Sequence, residues 1–310
     1  MNITHRPYQG LKDFIAMTSI LAIGRKTDTT AHYVHTGDLS WWMFYSDYTD
    51  SHWHTHITIW EHDGRTCGWS LFDPNWHSFD VYVLPEFRCS TLEDHILDWS
   101  IDCLTKIVRT QGKTEIQTIW VAEHDNKRIQ QLEKRGFRRG EYLMWYLERT
   151  LENPIPEPHI PNGFGIRKVA GNDDIKHRAA AAHQAFRSRQ PFDQYWPRYQ
   201  HFVDSPVYSS SIDLVTVAPE GNFASFCIAW SDPVNHIGLF EPVGTHPNFQ
   251  SLGLGKAVVT EGLRQLQICG MRRAAVCVKD SNHDALGLYQ AVGFQKQYQL
   301  FTYVKAITNE

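Results

Sequence analysis

The chain of 310 residues has no apolar run that approaches the roughly 20 residues needed to cross a bilayer. Its opening, MNITHRPYQG, lacks the apolar core of a secretion signal. Both absences lead to the expectation of a cytoplasmic protein with no membrane partner. A basic excess is missing too: 30 Lys and Arg stand against 34 Asp and Glu, for a formal net charge of -4. The positive field that gathers nucleic acid is therefore not expected. Cysteine is scarce, and Cys67, Cys89, Cys103, Cys227, Cys269 and Cys277 include no CxxC pair. Reduced, packed thiols are the expectation.

What is present is a globular composition, 42% hydrophobic, in a chain long enough for two domains. Proline gathers in Glu148 to Gly163, ERTLENPIPEPHIPNG. Proline fixes φ and cannot donate to a ladder, so this stretch reads as an extended linker. The expected division is a first domain over 1–150, a linker over 151–163 and a second domain over 164–310.

The two halves echo each other. Arg6 answers Arg167, Asp63-Gly64 answers Glu220-Gly221, and Pro85 answers Pro247. Gly112 answers Gly270, Asn126 answers Asn282, and Gly136-Phe137 answers Gly293-Phe294. An ordered set at nearly one offset indicates an internal duplication. Each half reads as an opening strand, helical segments, a hairpin about a Gly turn, and then strand–helix–strand–helix–strand. That order predicts α/β architecture: in each half a mixed, mainly antiparallel sheet flanked by helices. The helix over 252–268 is well specified, with Leu254, Ala257, Val258, Leu263 and Leu266 near a 3.6 period and Gly270 just past its end.

The informative stretch is GLFEPVGTHPNFQSLGLGKAVV, residues 238 to 259. Gln250, Ser251, Leu252, Gly253, Leu254, Gly255 and Lys256 lie between a strand and a helix. Two glycines there bare the backbone N–H groups at a helix N-terminus, which suits a phosphate or pyrophosphate. A Walker loop is excluded by Gln250 and Ala257, and a GxGxxG fingerprint by Val258. Pro242 and Gly244 interrupt the preceding strand, so the peptide groups around Val243 and Thr245 are expected to lack sheet partners.

These residues resemble the Q/R-x-x-G-x-G loop of the GNAT-type N-acetyltransferases. The segment Asn282-x-x-Ala285-x-x-Leu-Tyr289-x-x-x-Gly293-Phe294 is similar to the closing helix of the same family. The resemblance is strongest over residues 210 to 304. The layout as a whole resembles the tandem GNAT group, which includes mycothiol synthase-like enzymes. It implies acetyl-CoA as co-substrate, with the pyrophosphate on 250–256 and the pantetheine amides along Val243, Gly244 and Thr245. It implies an amine acceptor, either a small molecule or a peptide. Transfer of a longer acyl group, or a non-catalytic acetyl-CoA-binding module, remains open at this point, as does the oligomeric state.

Transfer of an acetyl group to an amine needs a proton acceptor, an oxyanion donor and an acid for the leaving thiolate. Glu241 is the candidate base, the N–H near Val243 the oxyanion donor and Tyr289 the candidate acid. Each has a plainer alternative: Glu241 as a strand-edge salt bridge, Tyr289 as a packing ring, Asn282 as a helix cap rather than a pantetheine ligand. Phe192, Tyr195, Trp196 and Tyr199 fall in the segment that shapes the acceptor groove in the family. In the first half the matching loop is Arg88-Cys-Ser-Thr91-Leu-Glu93, without either glycine and with an added anion. Leu132 stands where Tyr289 would. The first half thus reads as a degenerate copy that helps wall the acceptor site. His52, His54 and His56 alternate along one segment, but nothing completes a ligand set, and no metal is expected.

Overall fold

A computed structural model describes residues 3–27, 33–45 and 56–307. His52 and His54 lie outside them. The chain forms two compact units: Met1–Thr36, Ser51–Trp145 and Tyr298–Glu310 in one, Gly37–Asp50 and Tyr146–Gln297 in the other. Each unit keeps most of one expected domain, and three segments change sides, one of them the end of the first half, residues 146–150. Residues 37–45 of the first half belong to the second unit, and the last strand of the second half belongs to the first.

The first unit orders its strands as β1 (Ile3–Pro7), β2 (Ile57–His62), β3 (Arg65–Asp73), β4 (Ser78–Val83), β5 (Glu115–Ala122), β12 (Gln295–Ala306) and the start of β6 (Arg138–Thr150). The β4–β5 pair is parallel, whereas β1 to β4 and β5–β12 pair antiparallel. Helices α1 (Leu11–Thr27), α3 (Thr91–Thr110) and α4 (Asn126–Lys134) accompany them. The residues of β12 explain its place. Phe301 and Tyr303 are buried in one apolar cluster with Trp60, Ile96, Leu104 and Val121, burial that stabilises by roughly 1.5–3 kcal/mol for each large side chain.

The second unit runs from the end of β6 through β11 (Arg273–Lys279), β10 (Ile237–Thr245), β9 (Phe223–Asp232) and β8 (Asp213–Val217) to β7 (Gly165–Lys168). Here β10–β11 is parallel, and β7–β8, β8–β9 and β9–β10 are antiparallel. Its helices are α2 (Thr36–Tyr45), α5 (Gly171–Ala185), α6 (Phe192–Val203), α7 (Leu254–Ile268) and α8 (His283–Ala291). The Pro-rich linker is irregular, yet it is not a free tether: Leu151 and Ile155 are buried, Leu151 N–H donates to Arg272 O at 2.8 Å, and Gln267 Nε2 donates to Leu151 O at 2.6 Å.

The duplication is visible as repeated contacts. Arg6 grips Asp13 with two guanidinium nitrogens at 2.6 and 2.8 Å, and Gln9 N–H donates to the same carboxylate at 2.7 Å. In the second half Arg167 grips Asp174 in the same bidentate manner, and Ala170 N–H donates to it at 2.8 Å. In each half the clamp fastens the opening strand to the first helix, a geometry that suits the planar guanidinium. The arginine lowers the partner carboxyl below its ordinary value in both halves. Two cysteines depart from expectation: Cys89 and Cys269 are exposed thiols rather than packed ones.

The first unit holds a cavity of about 50 Å³ where β4 parts from β5, lined by Arg25, Tyr33, Asp80, Trp120 and Arg128 among others. Burial pushes the Asp80 carboxyl up to about 7, against the opposing pull of Tyr33 and Arg128. A carboxyl held above its unfolded value favours the fold while protonated, so this contribution is full below about pH 4 and is lost as pH rises through about 7. Asp80→Asn keeps the shape and cannot ionise. Its melting temperature should exceed the wild type's by more at pH 8 than at pH 4, the difference corresponding to roughly 2–4 kcal/mol. An equal change at both pH values would show that Asp80 does not titrate in this window.

Candidate active site

Strand β10 is regular only at its start. Its parallel pairs with β11 are Ile237↔Arg273, Gly238↔Ala274 and Leu239↔Ala275. Among the described residues the ladder to β11 goes no further, so that edge of β10 stays open from Phe240 to Thr245. On its other side β10 shifts register against β9 between Phe240 and Val243, then resumes with Val243↔Cys227, Gly244↔Phe226 and Thr245↔Ser225. Pro242, lacking an N–H, sits inside the shift, as expected where a ladder bond cannot form. The peptide bond between Glu241 and Pro242 is cis. Trp230 Nε1 donates to Glu241 O at 2.7 Å, so the displaced carbonyl keeps a partner. The expectation about Val243 and Thr245 therefore holds for one side of the strand: they pair with β9 and face no β11 partner.

The loop that follows turns through Ser251, at φ 63, and Gly253, at φ 79. Gly253 is the N-cap of α7 and provides no side-chain cap. The first N–H groups of a 15-residue helix are thus left for another acceptor. A Cβ on Gly255 would lie 3.1 Å from Thr245 Oγ1, so the helix start is packed closely on the end of β10. Gln250, Ser251, Leu252 and Lys256 are exposed around it, while Leu254 anchors the turn in the core. A glycine is also needed at 244, where a Cβ would come within 2.5 Å of the Phe226 ring. Among the described residues no cluster of His, Cys, Asp and Glu could hold a metal.

Tyr289 of α8 lies within electrostatic reach of Glu241 on β10. Burial raises the Tyr289 phenol well above its ordinary range, with Cys227, Glu241 and Cys277 adding to the effect. The hydroxyl therefore stays protonated, as an acid must. Burial also raises the Glu241 carboxyl, and the carboxyl of Asp38 raises it further through like charge and a hydrogen bond. Asp38 lies on α2 and is itself buried. Sequence reading missed it, because the segment 36–45 shows no clean period.

The remaining candidates divide. Asn282 is the N-cap of α8 and accepts from Ala285 N–H at 3.1 Å, the plainer of its two readings. Tyr195 and Tyr199 are buried, Trp196 is half-buried, and only Phe192 is exposed. Tyr199 donates to Asp213, which also accepts from Arg178 Nε at 3.0 Å, so α5 and α6 are pinned to the start of β8. Tyr45 of α2 donates to the Tyr195 hydroxyl at 2.9 Å.

In the first half the same loop has turned inward. Cys89, at φ 59, repeats the turn of Ser251. Ser90 caps α3, and Glu93 reaches back to accept from Cys89 N–H at 2.6 Å, from Arg128 at 3.0 Å and from Gln131 at 2.9 Å. Ser90 in turn accepts from Glu93 N–H, so the helix start is capped by side chains from both sides. The Glu93 carboxylate fills the anion position that the second half leaves open. Strand β4 runs against β3 without a register shift, and Asp80 stands where Pro242 stands in β10.

A splayed strand followed by an uncapped, glycine-turned helix leaves backbone N–H groups that suit a phosphate-bearing ligand. Comparison with known proteins agrees. Residues 177–294 match the sequence model of the acetyltransferase (GNAT) family. A mycothiol acetyltransferase of Salinispora arenicola is 32% identical over 170 residues, covering 52% of this chain and 54% of the relative. One from Streptomyces coelicolor is 28% identical over 152 residues, covering 47% and 49%. The chain thus aligns with about half the length of these curated relatives. Among solved structures, a GCN5-related N-acetyltransferase from Sphaerobacter thermophilus has a TM-score of 0.66 at 18% identity, covering 99% of this chain and 96% of that one. A tandem GNAT protein from the clavulanic acid biosynthesis pathway has a TM-score of 0.70 at 13% identity, covering 100% of both chains. Both share the fold over the whole chain, including the degenerate half.

Proposed function

We propose that this protein is an N-acetyltransferase that uses acetyl-CoA and has one working site, in the second half. The observation that carries the reading is the uncapped start of α7 beside the open edge of β10, with Glu241 on that strand and Tyr289 of α8 within its electrostatic reach. Residues 250–256 would hold the pyrophosphate through backbone N–H groups and Lys256. Val243, Gly244 and Thr245 would pair with the pantetheine amides, and Asn282 would flank the arm from the cap of α8. When bound, acetyl-CoA supplies an activated acyl carbon and a good leaving thiolate.

The chain's own residues perform the rest. The open edge of β10 aligns the thioester, and a backbone N–H near Val243 donates to the oxygen on which negative charge develops. Glu241 takes a proton from the acceptor amine, and its raised affinity for that proton suits a base acting on a weakly acidic ammonium. Tyr289, kept protonated by burial, gives its proton to the departing sulfur.

The test is a panel of amines, including mycothiol-related ones, run with several acyl-CoA donors and read as free thiol. Release of coenzyme A that depends on the amine, and that is fastest with the acetyl donor, is the expected result. Binding of acetyl-CoA without thiol release for any amine would leave a non-catalytic binding module instead. Faster turnover with a longer donor would reassign the acyl group.

A further inference from the structure

Each half carries one exposed thiol, and the surroundings of Cys89 are built around it. The loop before α3 holds it in one place. Cys89 turns at φ 59, and its N–H donates to Glu93 at 2.6 Å. The next residue is tied on both sides: Ser90 Oγ donates to Phe87 O at 2.6 Å and accepts from Glu93 N–H. The backbone beneath the thiol therefore has little freedom.

Cys89 lines an open cleft of about 540 Å³ formed with α3 and α4. Arg135 pairs with Asp94 at 2.8 Å and with Asp98 at 2.6 Å, which occupies both acids of the cleft. Lys127 and Lys134 are exposed on the same cleft and form no ion pair among the described residues. Three cations thus stand against two anions. Gln131 lines the cleft too and is only 8% exposed. Its Nε2 donates to Glu93 at 2.9 Å, while its Oε1 is buried and accepts from no described residue. Buried acceptors are nearly always paired, so this one calls for an incoming donor.

We propose that Cys89 is a thiol-exchange site, which takes up a small thiol bearing anionic groups and an amide N–H, delivered as its disulfide. The Cys89 thiolate attacks one sulfur of the disulfide. A new S–S bond forms as the old one breaks. The departing thiolate takes up the proton that Cys89 gave, and no other oxidant is needed. Lys127 and Lys134 draw in the anionic groups, and the amide N–H donates to Gln131 Oε1. Cys269, the other exposed thiol, follows the end of α7 and offers a comparison inside the same molecule. The site is independent of the acetyl-transfer reading, because none of its residues belongs to the proposed cofactor or catalytic set.

The experiment follows adduct formation at Cys89 and Cys269 by peptide mass spectrometry at neutral pH. The probes are glutathione disulfide, dithiodiglycolate, hydroxyethyl disulfide and cystamine. The first is anionic and has amides, the second is anionic without them, the third is neutral and the last is cationic. Relative to Cys269, Cys89 should react fastest with the first and slowest with the last. Glutathione disulfide should lead hydroxyethyl disulfide by about 5-fold at low ionic strength. That lead should vanish at about 1 M salt, where fields reach only about 3 Å. Lys127→Gln combined with Lys134→Gln should remove it as well and leave the rate with the neutral probe unchanged. Both lysines are exposed, and a melting curve checks that the fold is kept. Cys89→Ser should leave Cys269 as the first site of reaction. A Cys89 rate that tracks Cys269 for every probe, or one that the paired lysine substitutions do not alter, would overturn the site and leave Cys89 as an ordinary surface thiol.

Discussion

Gly255→Glu is expected to weaken acetyl-CoA binding by about three powers of ten. The first half of the chain already carries out the experiment. Glu93, which matches Gly255 in the repeat, folds back onto Cys89 N–H and occupies the place an anion would take. A carboxylate set about 4 Å from a pyrophosphate charge costs about 4 kcal/mol at an effective dielectric constant near 20. That is roughly a 10³-fold loss. The new side chain must also displace Thr245 Oγ1, which a Cβ at 255 would meet at 3.1 Å. Stability should not fall with affinity, because a carboxylate in the first turn favours the helix and glycine disfavours it. Titration calorimetry with acetyl-CoA, alongside a melting curve, separates the two. Binding at wild-type strength would remove residues 250–256 from the cofactor site. A second site of equal strength in the wild type would contradict the filled cradle of the first half.

Tyr289→Phe should lower kcat by roughly 10²-fold while acetyl-CoA affinity changes little, since only the proton donor is removed. The ring is buried and packs against Phe294 with centroids 5.4 Å apart, an arrangement that Phe preserves. The phenol is held well above its ordinary range by burial and by its acidic neighbours. The wild type should therefore show no loss of rate from Tyr289 ionising on the alkaline side up to the usual phenol range. Pre-steady-state measurement of thiol release gives the chemical step directly. Turnover at the wild-type rate would mean that water protonates the thiolate and that Tyr289 only packs.

Much of the candidate site was legible because its signals are local. Glycine at 253 and 255 and the 3.6 period of Leu254, Val258 and Leu266 mark a loop entering a helix, whatever surrounds them. The helix start came out at Leu254 rather than 252 because Gly253 adopts a left-handed cap. The interrupted strand was readable from Pro242, which has no N–H to give. The Arg6 and Arg167 repeat was seen, but the aspartates they clamp were not, although Asp13 and Asp174 hold the same spacing. By contrast, α2 was hidden: TGDLSWWMFY places apolar residues on every face, since the helix is covered on more than one side. Periodicity reports a helix only when one face meets water.

By itself, the sequence determined the duplicated α/β plan, the open cradle at 250–256 and the loss of that cradle in the first half. Each depends on residues close together, where proline, glycine and charge act on their own backbone. The tertiary structure alone decided that β12 would lie beside β5 and that α2 would leave its own half. It also decided that Asp38 would meet Glu241. Those outcomes depend on burial shared among segments far apart in the chain, and any one segment carries only its own side of such a contact.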